Sequence, residues 1–179
     1  ISLWKILEES GRKWKEICIF ASIAYKKSFM VTFIGEYTVR IDDKGRMVLP
    51  AAFKGIMPAD EPMMFVVKKD IFADCLEMWT YGEWERQSEE VKAKLNFFNE
   101  SHARFWREYM RNRAVVEPDA KLGRILIPKK LLDSIGVAKE AVFCGNDHKI
   151  EIWSKEKFEA SKITNEEFIS LAGALSDLR

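Results

Sequence analysis

Two stretches of the sequence set cations against a glycine at nearly the same spacing. They read Asp42-Asp43-Lys44-Gly45-Arg46-Met47-Val48-Leu49-Pro50 and Asp119-Ala120-Lys121-Leu122-Gly123-Arg124-Ile125-Leu126-Ile127-Pro128. In each, an Asp opens a turn, a Gly supplies a backbone free to take positive φ, and an Arg follows at once. Arginine is a planar, permanently charged fork suited to bidentate contact with a carboxylate, a phosphate or a base edge, whereas lysine offers a point charge. Two chemistries are therefore open. Asp42 and Arg46 can pair across their own turn, an exposed contact contributing about 0–1 kcal/mol, or the cations can face an anionic partner.

The other reactive residue types do not assemble into a catalytic pattern. His102 and His148 lie far apart, Cys18, Cys75 and Cys144 are odd in number with no CxxC pair, and no glycine-rich phosphate loop occurs. No nucleophile–base pair can be argued from these, so no enzyme activity, cofactor, metal or small-molecule substrate is expected. His148, after Asn146-Asp147, reads as a hairpin turn residue. His102 reads as a helical residue near Phe98 or Phe105, and Cys75 and Cys144 as small hydrophobes in apolar strands. This cysteine usage fits a reducing cytoplasm.

The elements that must hold the two turns come in duplicate. Tyr37, Val39 and Ile41 alternate with Glu36, Thr38 and Arg40, the period of a half-buried strand, and Arg46 to Leu49 forms a second strand, so each turn is expected to close a β-hairpin. Pro50 and Gly55 bracket a short helix, as Pro128 and Gly136 do in the second copy. Downstream, Glu77-Met78-Trp79 answers Glu151-Ile152-Trp153 and Trp84-Glu85 answers Phe158-Glu159, so a repeat spans most of each half and Trp79 and Trp153 read as core anchors. Between the copies, Trp84, Val91, Leu95, Phe98, Phe105, Trp106 and Tyr109 fall near helical period, giving one broken helix or two. The tail repeats the pattern with Phe168, Leu171, Leu175 and Leu178.

Charge is unevenly spread. Of a net +1, residues 1–29 contribute +3, from six Lys/Arg against three Glu, and the remainder carries −2. A DNA-binding role would therefore rest on a local basic stripe repeated by self-association, because a strong whole-molecule field is absent. The apolar run Ile17 to Tyr25, broken by Ser22, is far short of the roughly 20 residues a membrane helix needs. Acidic residues precede it and no small-x-small cleavage site stands before Lys26, which argues against a signal peptide. Residues 1–29 are read as an extension upstream of a domain starting at Met30. The expected divisions are then a first module over 30–82, a helical connector over 83–111, and a second module with a C-terminal helix over 112–179.

In the order Asp-x-Lys-Gly-Arg, second Gly-Arg, a proline after each, Glu-x-Trp after each and helices between, residues 30–179 resemble the MraZ family, whose members carry two tandem AbrB-like swapped-hairpin modules. The resemblance implies an α+β fold, a double-split β-barrel with helices between the repeats and at the C-terminus. It implies a ring-shaped homo-oligomer, cytoplasmic and nucleoid-associated, that regulates transcription by recognising short direct repeats in double-stranded DNA upstream of the division and cell-wall gene cluster. On that reading Arg46 and Arg124 are base readers, Lys44, Lys121 and Arg40 contact phosphates, and Asp42, Gly45, Asp119 and Gly123 shape the turns. Two alternatives stand beside it: an AbrB-like antitoxin with a toxin docked on the C-terminal tail, and a scaffold ring with no nucleic-acid role. Antitoxins commonly carry one hairpin module per chain, which argues against the first. Two features depart from the family pattern. The second turn is one residue longer, so it is expected to be wider or bulged, and the segment before Met30 has no counterpart.

Overall fold

The computed structural model describes residues 31–59 and 62–176; the expected extension over 1–29 lies outside them. In the first copy the elements are β1 (Phe33–Arg40), β2 (Arg46–Val48), α1 (Ala51–Gly55), β3 (Phe65–Lys69) and β4 (Leu76–Thr80). The helices α2 (Tyr81–Ala93) and α3 (Glu100–Tyr109) follow. The second copy supplies β5 (Arg113–Val116), β6 (Arg124–Leu126), α4 (Lys129–Ser134), β7 (Glu140–Asp147), β8 (Lys149–Ser154) and α5 (Lys155–Ala160), and α6 (Asn165–Ser176) ends the described chain. The fold is α+β, with an antiparallel six-stranded sheet in the order β1-β7-β8-β4-β3-β5 and a two-stranded ribbon, β2-β6.

The strand pairing differs from the expected hairpins in an instructive way. Within the first copy, β1 and β2 meet only at the bridge Ile41↔Met47 and through the Asp42 amide donating to the Arg46 carbonyl at 2.9 Å. Beyond the turn the strands part: β1 pairs with β7 of the second copy, and β5 returns the exchange by pairing with β3. The freed strands β2 and β6 then pair with each other, Met47 opposite Ile125. Burial explains the exchange. In both three-residue strands only the central residue is buried, so neither copy closes an apolar layer by itself, whereas the ribbon seals Met47 and Ile125 into a common core. The registers Met47↔Ile125 and Glu77↔Glu151 join repeat-equivalent residues, so one pseudo-two-fold axis passes through both pairs.

That core holds Phe33, Leu49, Phe53, Phe65, Met78, Ile127, Phe143 and Ile152, all at most 1% exposed. Each such side chain contributes about 1.5–3 kcal/mol of burial. Phe53 stands edge-on to both Phe33 and Tyr37, with ring centroids 5.4 and 5.1 Å apart. Gly145 lets β7 lie against β1, for a Cβ there would sit 2.5 Å from the Phe33 carbonyl carbon. The repeat-equivalent Thr80 and Ser154 cap the helices that follow, accepting from the amides of Glu83 and Lys157. The connector is two helices broken over Lys94 to Asn99, where His102 Nδ1 accepts the Asn96 amide at 2.9 Å.

The Glu-x-Trp signature has a chemical basis as well as a packing one. Glu77 is 6% exposed and accepts from the ammonium groups of Lys68 and Lys149, the latter at 2.6 Å. Its equivalent Glu151 accepts from Asn146 and from Trp153 Nε1, at 2.7 and 3.0 Å. A buried carboxylate needs such donors; Lys149 of the second copy reaches across β4 and β8 to supply one to Glu77, whereas Glu151 draws its donors from its own copy. Trp153 is buried as expected of an anchor, while Trp79 is only half-buried and its Nε1 has no partner.

Candidate nucleic-acid interface

In an antiparallel ribbon, opposed residues share a face, as do residues two apart on one strand. Arg46 is opposite Leu126 and Val48 is opposite Arg124, so these four side chains form one face while Met47 and Ile125 anchor the other. Arg46 and Arg124 are diagonal neighbours, positions about 7–8 Å apart and somewhat closer between Cβ atoms. The structure thus brings the two expected base readers together on a single surface, which separate hairpin tips would not have done. Between them Val48 and Leu126 stand 47% and 55% exposed, leaving apolar spots beside the guanidinium groups.

Both arginines are held from behind by the Asp that opens their turn. Asp42 Oδ1 accepts the amides of Lys44 and Arg46, both at 2.9 Å, and Oδ2 accepts Arg46 Nε at 2.8 Å and Nη2 at 2.7 Å. Asp119 Oδ1 accepts the Leu122 amide at 2.6 Å, and Oδ2 takes Arg124 Nε at 2.7 Å. The Arg46 guanidinium, with its amide, pulls the Asp42 carboxyl down to about 2; the Leu122 amide and then Arg124 do the same for Asp119, also to about 2. Both carboxylates are charged at any physiological pH. Because Asp42 grips Arg46 along its Nε side, through Nε and one face of Nη2, the terminal Nη1–Nη2 edge has no other partner among the described residues, and that edge meets a carboxylate, phosphate or guanine end-on.

The longer second turn does not displace its arginine. Gly45 and Gly123 take φ of +79° and +64°, and each donates its amide to the carbonyl of its turn Asp at 2.9 Å. The extra residue is absorbed between Asp119 and Gly123, which widens the turn as expected and changes its flank. Lys44 precedes Gly45, but the matching place before Gly123 belongs to Leu122, 53% exposed, with Lys121 one residue earlier. Lys44 and Lys121 are both exposed and make no ion pair among the described residues. Arg40 sits apart, on the outer face of β1, its side chain 90% exposed and 3.7 Å from Glu140.

One cation escapes a sequence reading. Lys54, on α1 of the first copy, lays its chain over the second turn, where a Cβ on Gly123 would meet Nζ at 2.6 Å. With Met63, Asp119, Ala120, Lys121 and Leu122 it lines an open groove of about 550 Å³. Leu132 occupies the corresponding place beside Gly45. Nothing local in the sequence marks Lys54, because its position depends on the exchange of strands between copies.

Among the described residues no group of three or more His, Cys, Asp or Glu could hold a metal ion, and no helix is long and apolar enough to cross a membrane. The profile of a family described as "MraZ protein, putative antitoxin-like" matches residues 32–108 and 110–172. A protein of Bacteroides thetaiotaomicron named Transcriptional regulator MraZ is 37% identical over 139 residues, covering 78% of this chain and 88% of its own. Proteins of the same name from Christiangramia forsetii and Clostridium acetobutylicum are 35% and 32% identical, covering 80% and 82% of this chain and 92% and 98% of their own.

Proposed function

The chain belongs to the MraZ family, and from that premise we propose that it is a DNA-binding transcription regulator whose reading head is the outer face of the β2-β6 ribbon. One observation carries the reading: Arg46 and Arg124 stand diagonally on one face of a two-stranded ribbon whose opposite face is sealed into the core. A two-stranded ribbon fits the major groove, about 12 Å wide, where an arginine end edge spans guanine O6 and N7 and an apolar side chain meets the thymine methyl. Arg46 and Arg124 are then the base readers, with Val48 and Leu126 beside them. Lys44, Lys121 and Arg40, joined by Lys54, contact phosphates. The relatives' name, Transcriptional regulator MraZ, supports the same role.

The exchanged strands constitute the double-split barrel, with modules over 30–82 and 112–179 joined by the connector over 83–111. The target is a set of short direct repeats in the promoter of the division and cell-wall cluster. The working form is a ring of copies on nucleoid DNA in the cytoplasm, because one such face offers few phosphate contacts and linking weak sites raises avidity by roughly 10² to 10⁴. Fluorescence anisotropy with DNA from upstream of the protein's own gene tests the reading. Repeat-bearing DNA is expected to bind at least about 10³-fold more tightly than a scrambled sequence at physiological salt. Equal binding of the two leaves the scaffold ring as the better account.

A further inference from the structure

The fold leaves two unlike apolar surfaces uncovered. Every described side chain of α6 is exposed, with Phe168, Ile169, Leu171 and Leu175 between 55% and 70%. Phe168, Leu171 and Leu175 recur at the i, i+3, i+7 spacing of a single helical face. Helix α3 likewise buries no residue, and beside it opens a cleft of about 280 Å³ between Phe105 and Tyr109 on one side and Lys69, Ile71 and Arg113 on the other. Phe105 is 46% exposed and Ile71 64%.

Charge distinguishes the two surfaces. The stretch 100–113 holds Arg104, Arg107, Arg111 and Arg113 against Glu100 and Glu108, while 165–176 holds Glu166 and Glu167 and no Lys or Arg. Arg113 lies over the Tyr109 ring at 4.1 Å, and its Nη1 reaches only Met110 Sδ, at 3.2 Å. Its Nε and Nη2 are shut away from water with no acceptor. The cleft lining sets Lys68, Lys69, Arg111 and Arg113 against the single carboxylate of Glu108, which Arg111 holds at 2.8 Å, so its wall is net positive.

We infer that α6 of one copy docks into the α3 cleft of the next, its Phe168–Leu171–Leu175 stripe against Phe105, Tyr109 and Ile71, with Glu167 beside the stripe facing the net-positive wall of the cleft. The docked faces differ, so the contact is head-to-tail, and copies joined that way add in one rotational sense until they close. The inference rests on the ring reading above and states what joins the ring.

The test uses two full-length variants at exposed positions of helices that bury none of their described side chains, so both are expected to fold; circular dichroism checks this. Leu171→Asp disables the docking helix and Phe105→Asp disables the cleft. Each alone is expected to be a monomer at micromolar concentration by light scattering, where the parent is a multimer. Mixed together, they retain one working interface, the intact α6 of the second variant on the intact cleft of the first, and are expected to give a one-to-one dimer that grows no further. Glu167→Arg is expected to weaken assembly at least tenfold and to be rescued in part by Arg111→Glu at the exposed rim of the cleft. A monomeric parent sinks the ring reading itself. A multimeric parent whose Leu171→Asp variant stays multimeric overturns this inference alone, as do two monomeric variants that fail to dimerise on mixing. Loss of assembly on removing residues 1–30, with Leu171→Asp unaffected, assigns the cleft to that segment instead.

Discussion

Replacing Arg46 separates a reading head from a solvated turn. The side chain is fixed at one edge by Asp42, through Nε at 2.8 Å and Nη2 at 2.7 Å, and its terminal edge has no other partner among the described residues. A bidentate contact from that edge to guanine is worth about 1–3 kcal/mol of discrimination, so Arg46→Ala should weaken the cognate repeat by about 5- to 150-fold per engaged site. Folding should barely respond. The pair it breaks is exposed and contributes at most about 1 kcal/mol, which for a chain of this size moves Tm by no more than about 4 °C.

Two companion variants make the result interpretable. Arg46→Lys keeps the charge but loses the fork, so it should retain the salt dependence of the parent while losing preference at one base position. Lys44→Ala should weaken cognate and scrambled DNA alike and lower the slope of log affinity against log salt by about one per site. Anisotropy titrations at several salt concentrations, on the promoter sequence and on single-base variants of it, read all three. If Arg46→Ala binds promoter DNA as tightly and as selectively as the parent, the ribbon face is not the reading head and the assignment of Arg46 is wrong.

Three further outcomes follow from the geometry. Asp42→Ala should cost DNA affinity less than Arg46→Ala does, about 0.5–1.5 kcal/mol per site, since it removes only the pre-ordering of the arginine and of the turn amides; a loss larger than that of Arg46→Ala in the same titration would contradict this. Because Asp42 and Asp119 are both pulled from 3.8 to about 2 when folded, their contribution to stability is fully present above about pH 4 and is lost as pH falls toward 2; carboxyl titration by NMR should give midpoints near 2, and midpoints near 3.8 would show the Asp–Arg grips to be open in solution. Gly145→Ala should destabilise the fold by about 1–3 kcal/mol or more in urea melts, since the new Cβ meets the β1 backbone and not a movable side chain; an unchanged midpoint would mean that β1 and β7 do not lie in this register.

The sequence discloses what is local and repeated. Gly45 and Gly123 turn where their types require, Pro50 and Pro128 stand at the helix starts, and the paired Glu-x-Trp triplets fall on equivalent strands. It does not disclose partners chosen over long range. Alternation along Tyr37, Val39 and Ile41 marks a strand with one buried face, yet is silent on whether Arg46–Val48 or Glu140–Asp147 lies beside it. That choice depends on which pairing buries Met47 and Ile125 together, a sum over both copies. Lys54 at the second turn and the carboxylate of Glu77 between Lys68 and Lys149 were hidden for the same reason. The widened second turn was visible as one extra residue, but whether it moved Arg124 off the ribbon was settled only by the register Val48↔Arg124.

The pseudo-two-fold axis through the ribbon relates the guanidinium groups but not their surroundings, and this bears on the kind of DNA the face suits. Around Arg46 stand Lys44 and the apolar Leu132; around Arg124 stand Leu122, the earlier Lys121 and, reaching from the other copy, Lys54. On the proposed reading the base contacts would be nearly symmetric and the phosphate contacts skewed, and phosphate contacts set orientation on the duplex. A strictly two-fold reader favours palindromes. A skewed one prefers a direction, and copies joined head-to-tail present that direction alike, so they match repeats that all run the same way. DNA in which every second repeat is inverted keeps each base contact available in isolation but reverses the phosphate skew at half the sites. It should therefore bind as though it carried about half as many repeats, and if the working form is the proposed ring, whose linked sites bind by avidity, that loss compounds across sites. If inverted and direct arrays bind equally well, the skew has no energetic weight, and the two halves of the ribbon act as equivalent readers despite their unequal turns.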